Sequence, residues 1–250
     1  DNYIYQPLFR QFLTSQAYRR MDQQQLEKLS QRVLKLHETR GQIEIALDLC
    51  HATKDWDNMQ RLILSHAKTW LADSRQRDLI YQLDRLPAKM AAGEPWLMMV
   101  RAEALKHIDA NESHKLYENC AHIFQQKGNE KGKQLAAVGI QETALLESTK
   151  PKSMDRWLDE IASLKSPISE SSSVKSTEAR LIKCLLVGLA SRMPNHPELS
   201  SWEQRAQAAL QRKSSPEAQA IILSGLLTLK CFYGDVSTLR LMTALGEKLD

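Results

Sequence analysis

Hydrophobic residues recur along most of this 250-residue chain every three or four positions, the spacing of one face of an α-helix. The clearest stripe consists of Ile43, Ala46, Leu47 and Cys50, and it predicts a helix over 42–54. Similar patterns predict helices over 22–40 and 56–71, after Pro95, around 116–123 and 181–189, after Pro216, and from Asp235 onwards. The pattern as a whole indicates roughly a dozen helices.

Capping residues mark several of the predicted helix ends. Gly41 follows the 22–40 segment and suits a C-cap, because glycine adopts the left-handed conformation without steric cost. Ser215, Pro216 and Glu217 supply an N-cap, a first-turn proline and an acid favoured by the helix dipole. Only residues 2–5, Asn-Tyr-Ile-Tyr, have strand-like composition, and we expect them to end a domain that precedes this segment. The predicted fold class is therefore all-α.

The helices are expected to form hairpins that repeat along the chain. Hairpins starting near residues 95, 131, 175 and 216 have spacings of roughly 36 to 44 residues, within the range of helical repeats. We therefore predict a tetratricopeptide-like right-handed superhelix, although a plain bundle would contain the same helices. A serine-rich stretch at 163–176 interrupts the pattern. Its composition predicts a mobile loop, with a phosphorylated switch as the alternative.

Composition and charge exclude several classes of protein. The formal net charge of +4 is small and spread along the chain, whereas a dedicated nucleic-acid-binding protein concentrates its basic residues on one face. Cys50, Cys120, Cys184 and Cys231 are far apart among apolar residues, which predicts buried, reduced thiols and a cytoplasmic location. No apolar stretch is long enough to predict a transmembrane helix.

The sequence contains no complete catalytic or metal-binding motif. Residues 128–134 resemble a nucleotide-binding P-loop, but three residues separate the glycines where four are needed, and Gln134 replaces Ser or Thr. We interpret this segment as a helix C-cap and an interhelix loop. Residues 214–221 resemble the start of a helix-turn-helix, but an apolar segment follows where a recognition helix is required. The histidines and carboxylates are expected on solvated faces or in the core, so we predict that the chain is not an enzyme.

Residues 5–13, Tyr-Gln-Pro-Leu-Phe-Arg-Gln-Phe-Leu, are similar to a segment of MalT-type regulators of the LuxR class. In these ATP-dependent (STAND) transcription activators the segment closes the winged-helix part of the ATPase module. Residues 41–56 resemble the family's helical-hairpin pattern, and residues 83–87 and 95–97 resemble its Leu-x-x-Leu-Pro turn and the entry into its sensor region. The resemblance covers about the first 108 residues.

Three departures from the family pattern indicate a divergent branch. Gln6 replaces the usual His, His37 stands where Trp is common, and Lys54 replaces the Gly before Asp-Trp. The resemblance implies an upstream domain that binds ATP and a DNA-binding domain elsewhere in a longer parent chain. It implies no cofactor in this segment, no direct DNA contact by it and no membrane association.

The resemblance divides the chain into three expected parts. Residues 1–20 would be the tail of the winged-helix subdomain, 21–93 a helical arm and 94–250 a repeat domain that senses an effector. Leu8, Phe9, Phe12 and Leu13 would form the apolar face of a short helix. That face would pack within the chain or on a preceding domain.

Effector binding is expected in a groove lined by the first helix of each hairpin. Arg101, Gln141 and Arg180 are the candidate groove residues. The expected partners are a small-molecule effector or a regulatory protein, together with self-association of the parent protein. The alternative is a helical-repeat scaffold or adaptor that has no effector and no role in transcription.

Overall fold

The computed structural model describes residues 6–146, 152–162, 173–174 and 176–234. Within these residues the fold is all-α, with thirteen helices and two strands of two residues each. The chain divides into two compact units, Asp1–Ala91 and Ala92–Asp250. Two predicted elements, the strand at 2–5 and the helix from Asp235, lie outside the described residues.

Unit 1 contains the helices that precede Pro95. Asp22 begins one of them with a capping box, in which its side chain accepts from the Gln25 amide while Gln25 accepts from the Asp22 amide. Asp55 caps another helix through the amide of Asn58. The helices of this unit are α1 Pro7–Arg20, α2 Gln23–Thr39, α3 Ile43–Thr53, α4 Trp56–Ala72, α5 Gln76–Asp84 and α6 Ala88–Gly93, which spans the division between the units.

Helices α2 to α5 pack in sequence, α2 on α3, α3 on α4 and α4 on α5. The predicted stripe of α3 is buried as expected, and Gly41 has a φ of 69° just before this helix. Of the two packings expected for the apolar face of α1, on a preceding domain or within the chain, the described residues do not show the one within the chain. Leu8 is 80% exposed, and Phe9, Phe12 and Leu13 are also exposed.

Unit 2 contains α7 Pro95–Leu105, α8 Ala110–Gln126, α9 Glu130–Leu146, α10 Lys152–Ala162, α11 Ser176–Arg192, α12 Leu199–Gln211 and α13 Pro216–Phe232. The helix starts at Pro95, Glu130, Ser176 and Pro216 lie at or next to the predicted hairpin starts. Helix α9 contacts α7, α8, α10 and α11, and α11 also contacts α12 and α13. Ser215 caps α13 through the Ala218 amide, as predicted.

Part of the predicted serine-rich loop belongs to a short sheet. Strand β1, Ser173–Val174, pairs in parallel with β2, Lys213–Ser214, which connects α12 to α13. Residues 163–172 and 175 of the stretch lie outside the described residues. Ser176, which was predicted as loop, begins α11 instead.

Two glycines of α9 allow α8 to approach closely. A Cβ atom at Gly132 would lie 2.5 Å from the Phe124 ring, and one at Gly139 would lie 2.4 Å from the Tyr117 ring. Gly132 was predicted in an interhelix loop, but it lies inside α9. Gly128, with a φ of 64°, follows the C-cap of α8 as predicted.

The core of unit 2 is continuous from Ala102 on α7 to Leu229 on α13. Cys50, Cys120 and Cys184 are buried free thiols, as predicted, but Cys231 is exposed because it lies on the outer side of the last turn of α13. In the parts of the chain that the structure describes, no helix has the length and apolar character required to cross a bilayer.

Candidate functional site

Three helices of unit 2 contribute charged side chains to one cluster. Arg180 on α11 donates from Nε to Glu142 Oε1 on α9 at 2.9 Å, and from Nη2 to Glu142 Oε2 at 2.5 Å. The same Nη2 lies 3.2 Å from Oε2 of Glu103 on α7. One guanidinium therefore joins α11 to both α9 and α7, with the bidentate geometry that arginine favours for carboxylates.

Lys106 and Tyr117 complete this charged cluster. Lys106, at the C-cap of α7, donates from Nζ to Glu103 at 2.6 Å and to Glu142 at 3.0 Å. Tyr117 on α8 donates its hydroxyl proton to Glu103 Oε2 at 2.5 Å. The cluster thus contains two carboxylates, two cations and one phenol, and its formal charges cancel.

The helix positions explain how these side chains meet. Glu103 and Lys106 are three residues apart, so they share one side at the end of α7. Tyr117 reaches Glu103 because its ring packs over Gly139, where no side chain separates α8 from α9. Helices α7, α9 and α11 contact each other in that order, and this places Glu142 between Glu103 and Arg180.

The electrostatics of the cluster keep its acids ionised. Burial opposes ionisation of Glu103, but the charges of Arg180 and Lys106 outweigh it and lower the pKa of Glu103 from 4.5 to about 2. Burial is the largest single effect on Glu142 and opposes its ionisation, but the hydrogen bonds and charges of Arg180 and Lys106 together outweigh it and lower the pKa of Glu142. The pKa of Tyr117 is raised by burial and by the Glu103 charge, so its hydroxyl remains a donor.

This arrangement suits ion pairing better than proton transfer. A general acid or base needs a pKa near the working pH, and the pKa of each of these acids is displaced away from neutrality. Glu103, Glu142 and Arg180 are 26–28% exposed, so solvent and ligands can reach part of each side chain.

The three predicted groove residues, Arg101, Gln141 and Arg180, lie in three different surroundings in the structure. Arg180 is the centre of the charged cluster. Arg101 is half-buried on α7, two residues before Glu103 and so on a different side of the helix. Gln141 is 1% exposed, and its Oε1 accepts from Cys184 Sγ at 2.9 Å. Gln141 thus lies in the core and lines no open groove, because the absence of a side chain at Gly188 allows its amide to pack against α11.

His114 on α8 is buried. Thr143 Oγ1 donates to backbone carbonyls of α9, so it accepts from His114 Nδ1 at 2.9 Å. His114 Nε2 is buried without a hydrogen-bond partner. Among the described residues, no three His, Cys, Asp or Glu side chains are grouped so that they could hold a metal ion.

The sequence analysis does not identify Glu103, Lys106, Tyr117 or Glu142 as site residues, and it places helical carboxylates on solvated faces. The contacts of Lys106 and Arg180 with Glu142 join residues 36 and 38 positions apart, whereas Tyr117 and Arg180 reach Glu103 across 14 and 77 positions. The predicted spacing between hairpin starts, roughly 36 to 44 residues, includes the separations of 36 and 38 positions. This spacing is the sequence pattern that indicates that residues about one hairpin apart could be in contact.

Other contacts within unit 2 have similar separations. Arg192 pairs with both oxygens of Asp155, a separation of 37 positions. Trp202 Nε1 donates to the Ala162 carbonyl at a separation of 40, and Arg212 donates to Glu178 at a separation of 34. Several side-chain contacts between helices of this unit therefore join positions 34 to 43 apart, whereas those of His114 with Thr143 and of Arg180 with Glu103 join positions 29 and 77 apart.

No protein-family model, no curated protein and no solved structure matches this chain.

Proposed function

We propose that this chain is a non-enzymatic signal-sensing and protein-interaction module of an ATP-dependent bacterial transcriptional regulator of the MalT type. Unit 2 binds a small-molecule effector or a regulatory protein and thereby controls self-association of the parent regulator. The observation that carries the proposal is the charged cluster, because it joins α7, α9 and α11 through side chains that are still partly exposed.

The proposed architecture of unit 2 is a right-handed stack of hairpins similar to tetratricopeptide repeats. Two observations support it. Helices α7, α9, α11 and α13 contact one another in succession, and several side-chain contacts between helices join positions 34 to 43 apart. In such a stack the first helix of each hairpin lines a common groove, which is a suitable surface for a peptide or an effector.

The charged cluster offers a route from binding to conformational change. A ligand with an anionic group would compete with Glu103 and Glu142 for Arg180. Since Arg180 joins α11 to α7 and α9, a change of its partner alters the free energy of these helix contacts. A ligand that prefers the altered arrangement shifts the population towards it in proportion to its differential affinity.

The resemblance of residues 5–13 and 41–56 to MalT-type regulators supports the wider assignment. In that assignment the protein is cytoplasmic, and ATP binds to a domain that precedes this chain. DNA is bound by another domain of the parent, and this chain itself needs no cofactor and contacts neither DNA nor membrane.

A thermal-shift screen of small carboxylates and phosphorylated sugars tests the proposal. A ligand that binds the native state raises the melting temperature, and at about one hundred times its Kd it adds about 2.7 kcal/mol of stability. The variant Arg180→Lys keeps the charge but loses the bidentate geometry, so it should reduce this shift, as should Arg101→Ala if α7 lines the groove. Binding that is equal in both variants and the wild type would exclude the cluster as the effector site.

The alternative, a scaffold or adaptor without an effector, is favoured by one observation. The two carboxylates and two cations of the cluster already neutralise each other, as a purely structural network would. In that case Arg180 variants would lose stability, whereas no compound would change the melting temperature or the oligomeric state of the wild-type protein. The same screen, read together with size-exclusion chromatography, therefore distinguishes the two functions.

A further inference from the structure

A groove of about 1250 Å³ lies in unit 1, between the first half of α2 and the connection from α3 to α4. It is lined by residues within 23–32 and 52–55, all on the described part of the chain. Leu26 and Ala52 supply apolar surface, and most of the other lining side chains are polar or charged. This volume exceeds the range of about 300–1,000 Å³ that is typical of small-molecule pockets.

Three cations line the groove without a carboxylate partner. Lys28 and Arg32 are one helical turn apart on α2, and Lys54 lies opposite, after the end of α3. All three side chains are exposed. Among the described residues none of the three forms an ion pair, whereas Arg61 and Arg75 of the same unit do.

The two acids of the groove are already bound by amide donors. Asp55 accepts from the Asn58 amide at 3.2 Å and from Gln31 Nε2 at 2.9 Å, and Glu27 accepts from Gln23 Nε2 at 3.0 Å. Lys28, Arg32 and Lys54 are therefore the groove residues that can form new ion pairs with a ligand.

Lys54 is held in place by the backbone. Its φ of 57° is left-handed, and its amide donates to the His51 carbonyl in the C-cap of α3. The next amide, that of Asp55, donates to the Cys50 carbonyl at 2.8 Å. The cation on the α3 side of the groove is thus attached to a fixed turn, which lowers the entropy cost of using it in binding.

We propose that this groove binds an acidic peptide segment of a partner protein. Lys28, Arg32 and Lys54 would pair with its carboxylates, the apolar surface of Leu26 would contact its side chains, and the glutamines would bond its backbone. A peptide is favoured over a nucleic acid because none of the lining residues in 23–32 and 52–55 is aromatic, so the groove has no platform for stacking bases. This site is separate from the charged cluster of unit 2 and does not depend on its proposed function.

Fluorescence anisotropy with a labelled peptide of Glu, Asp, Ser and Leu tests the proposal on the whole 250-residue chain. The wild-type protein should bind this peptide at low salt and more weakly at physiological salt, because exposed ion pairs are screened. The triple variant Lys28→Glu/Arg32→Glu/Lys54→Glu should weaken binding about tenfold or more, given three lost pairs. These side chains are exposed, so circular dichroism should show unchanged helicity.

A control variant separates the groove from general charge attraction. Lys35→Glu/Arg40→Glu/Lys68→Glu makes the same change in net charge at exposed positions of unit 1 that do not line the groove. This control should change the affinity by less than about twofold. An equal loss of affinity in the control would overturn the proposal, as would equal binding of a peptide in which Gln and Asn replace Glu and Asp.

A second measurement uses the unmodified protein. Acetylation of lysines, followed by mass spectrometry, should show Lys28 and Lys54 protected by the acidic peptide and Lys35 not protected. Equal protection of all three lysines, or no binding at low salt, would overturn the proposal. Tighter binding of single-stranded or duplex DNA than of the peptide would also overturn it and identify a nucleic-acid site instead.

Discussion

Replacement of Arg180 by Gln tests the charged cluster most directly. Glu103 and Glu142 would lose their shared guanidinium while remaining about three-quarters buried. Breaking a fully buried pair costs about 3–5 kcal/mol, and breaking a surface pair costs about 0–1 kcal/mol. The lowering of the Glu103 pKa from 4.5 to about 2 corresponds to a net stabilisation of about 3 kcal/mol, after the opposing cost of burial is subtracted from the effect of its partners. Lys106 and Tyr117 remain, so we expect Arg180→Gln to lower the free energy of unfolding by about 2 kcal/mol.

The pH dependence of this loss follows from the direction of the pKa change. Glu103 has a lower pKa in the folded than in the unfolded protein, so its stabilising effect is complete well above pH 4.5 and is lost as the pH falls towards about 2. The difference in stability between wild type and Arg180→Gln should therefore be largest at neutral pH. It should decrease progressively below about pH 5.

Urea denaturation followed by circular dichroism at several pH values measures this difference. Arg192→Gln is a matched control, because Arg192 lies on the same helix and also binds both oxygens of one carboxylate, but its partner Asp155 is 44% exposed. The control should cost less than about 1 kcal/mol. A loss in Arg180→Gln that is no larger than in Arg192→Gln, or that does not decrease in acid, would refute the reasoning.

Three further predictions concern packing and thiol chemistry. Gly139→Ala should lower the free energy of unfolding by about 1–3 kcal/mol in thermal or urea denaturation, because the new Cβ would lie 2.4 Å from the buried Tyr117 ring. The control Gly93→Ala, which has open space around the new Cβ, should be neutral or stabilising. Tyr117→Phe should cost about 1–2 kcal/mol through loss of the hydrogen bond to Glu103, and an equal loss in Glu103→Ala/Tyr117→Phe relative to Glu103→Ala, which removes the acceptor, would contradict that cause. Titration with a thiol reagent should modify Cys231 alone in the native protein and all four cysteines after unfolding, because burial raises the pKa of the Cys120 thiol to about 12 and also raises those of Cys50 and Cys184.

The positions of the helices follow from local signals in the chain. Pro95 and Pro216 begin α7 and α13, and Ser215 caps α13, because the first turn of a helix tolerates a proline and requires a side-chain acceptor. The apolar stripe of α3 is buried because the spacing of its apolar residues matches the helical period and places them on one face. These features depend on residues within a few positions of each other, and the sequence contains them all.

Tertiary packing determines which side chains from different helices come into contact. Gln141 on α9 and Arg180 on α11 are both polar helical residues, yet Gln141 is buried against Gly188 while Arg180 reaches Glu103 and Glu142. Which of two such residues is buried depends on the helix rotation and on close approaches at Gly139 and Gly188, and periodicity does not specify these. The pKa of Glu103 likewise depends on a guanidinium 77 positions away in the chain. The sequence by itself therefore determined where the helices are, whereas only the tertiary structure decided which charges they bring together.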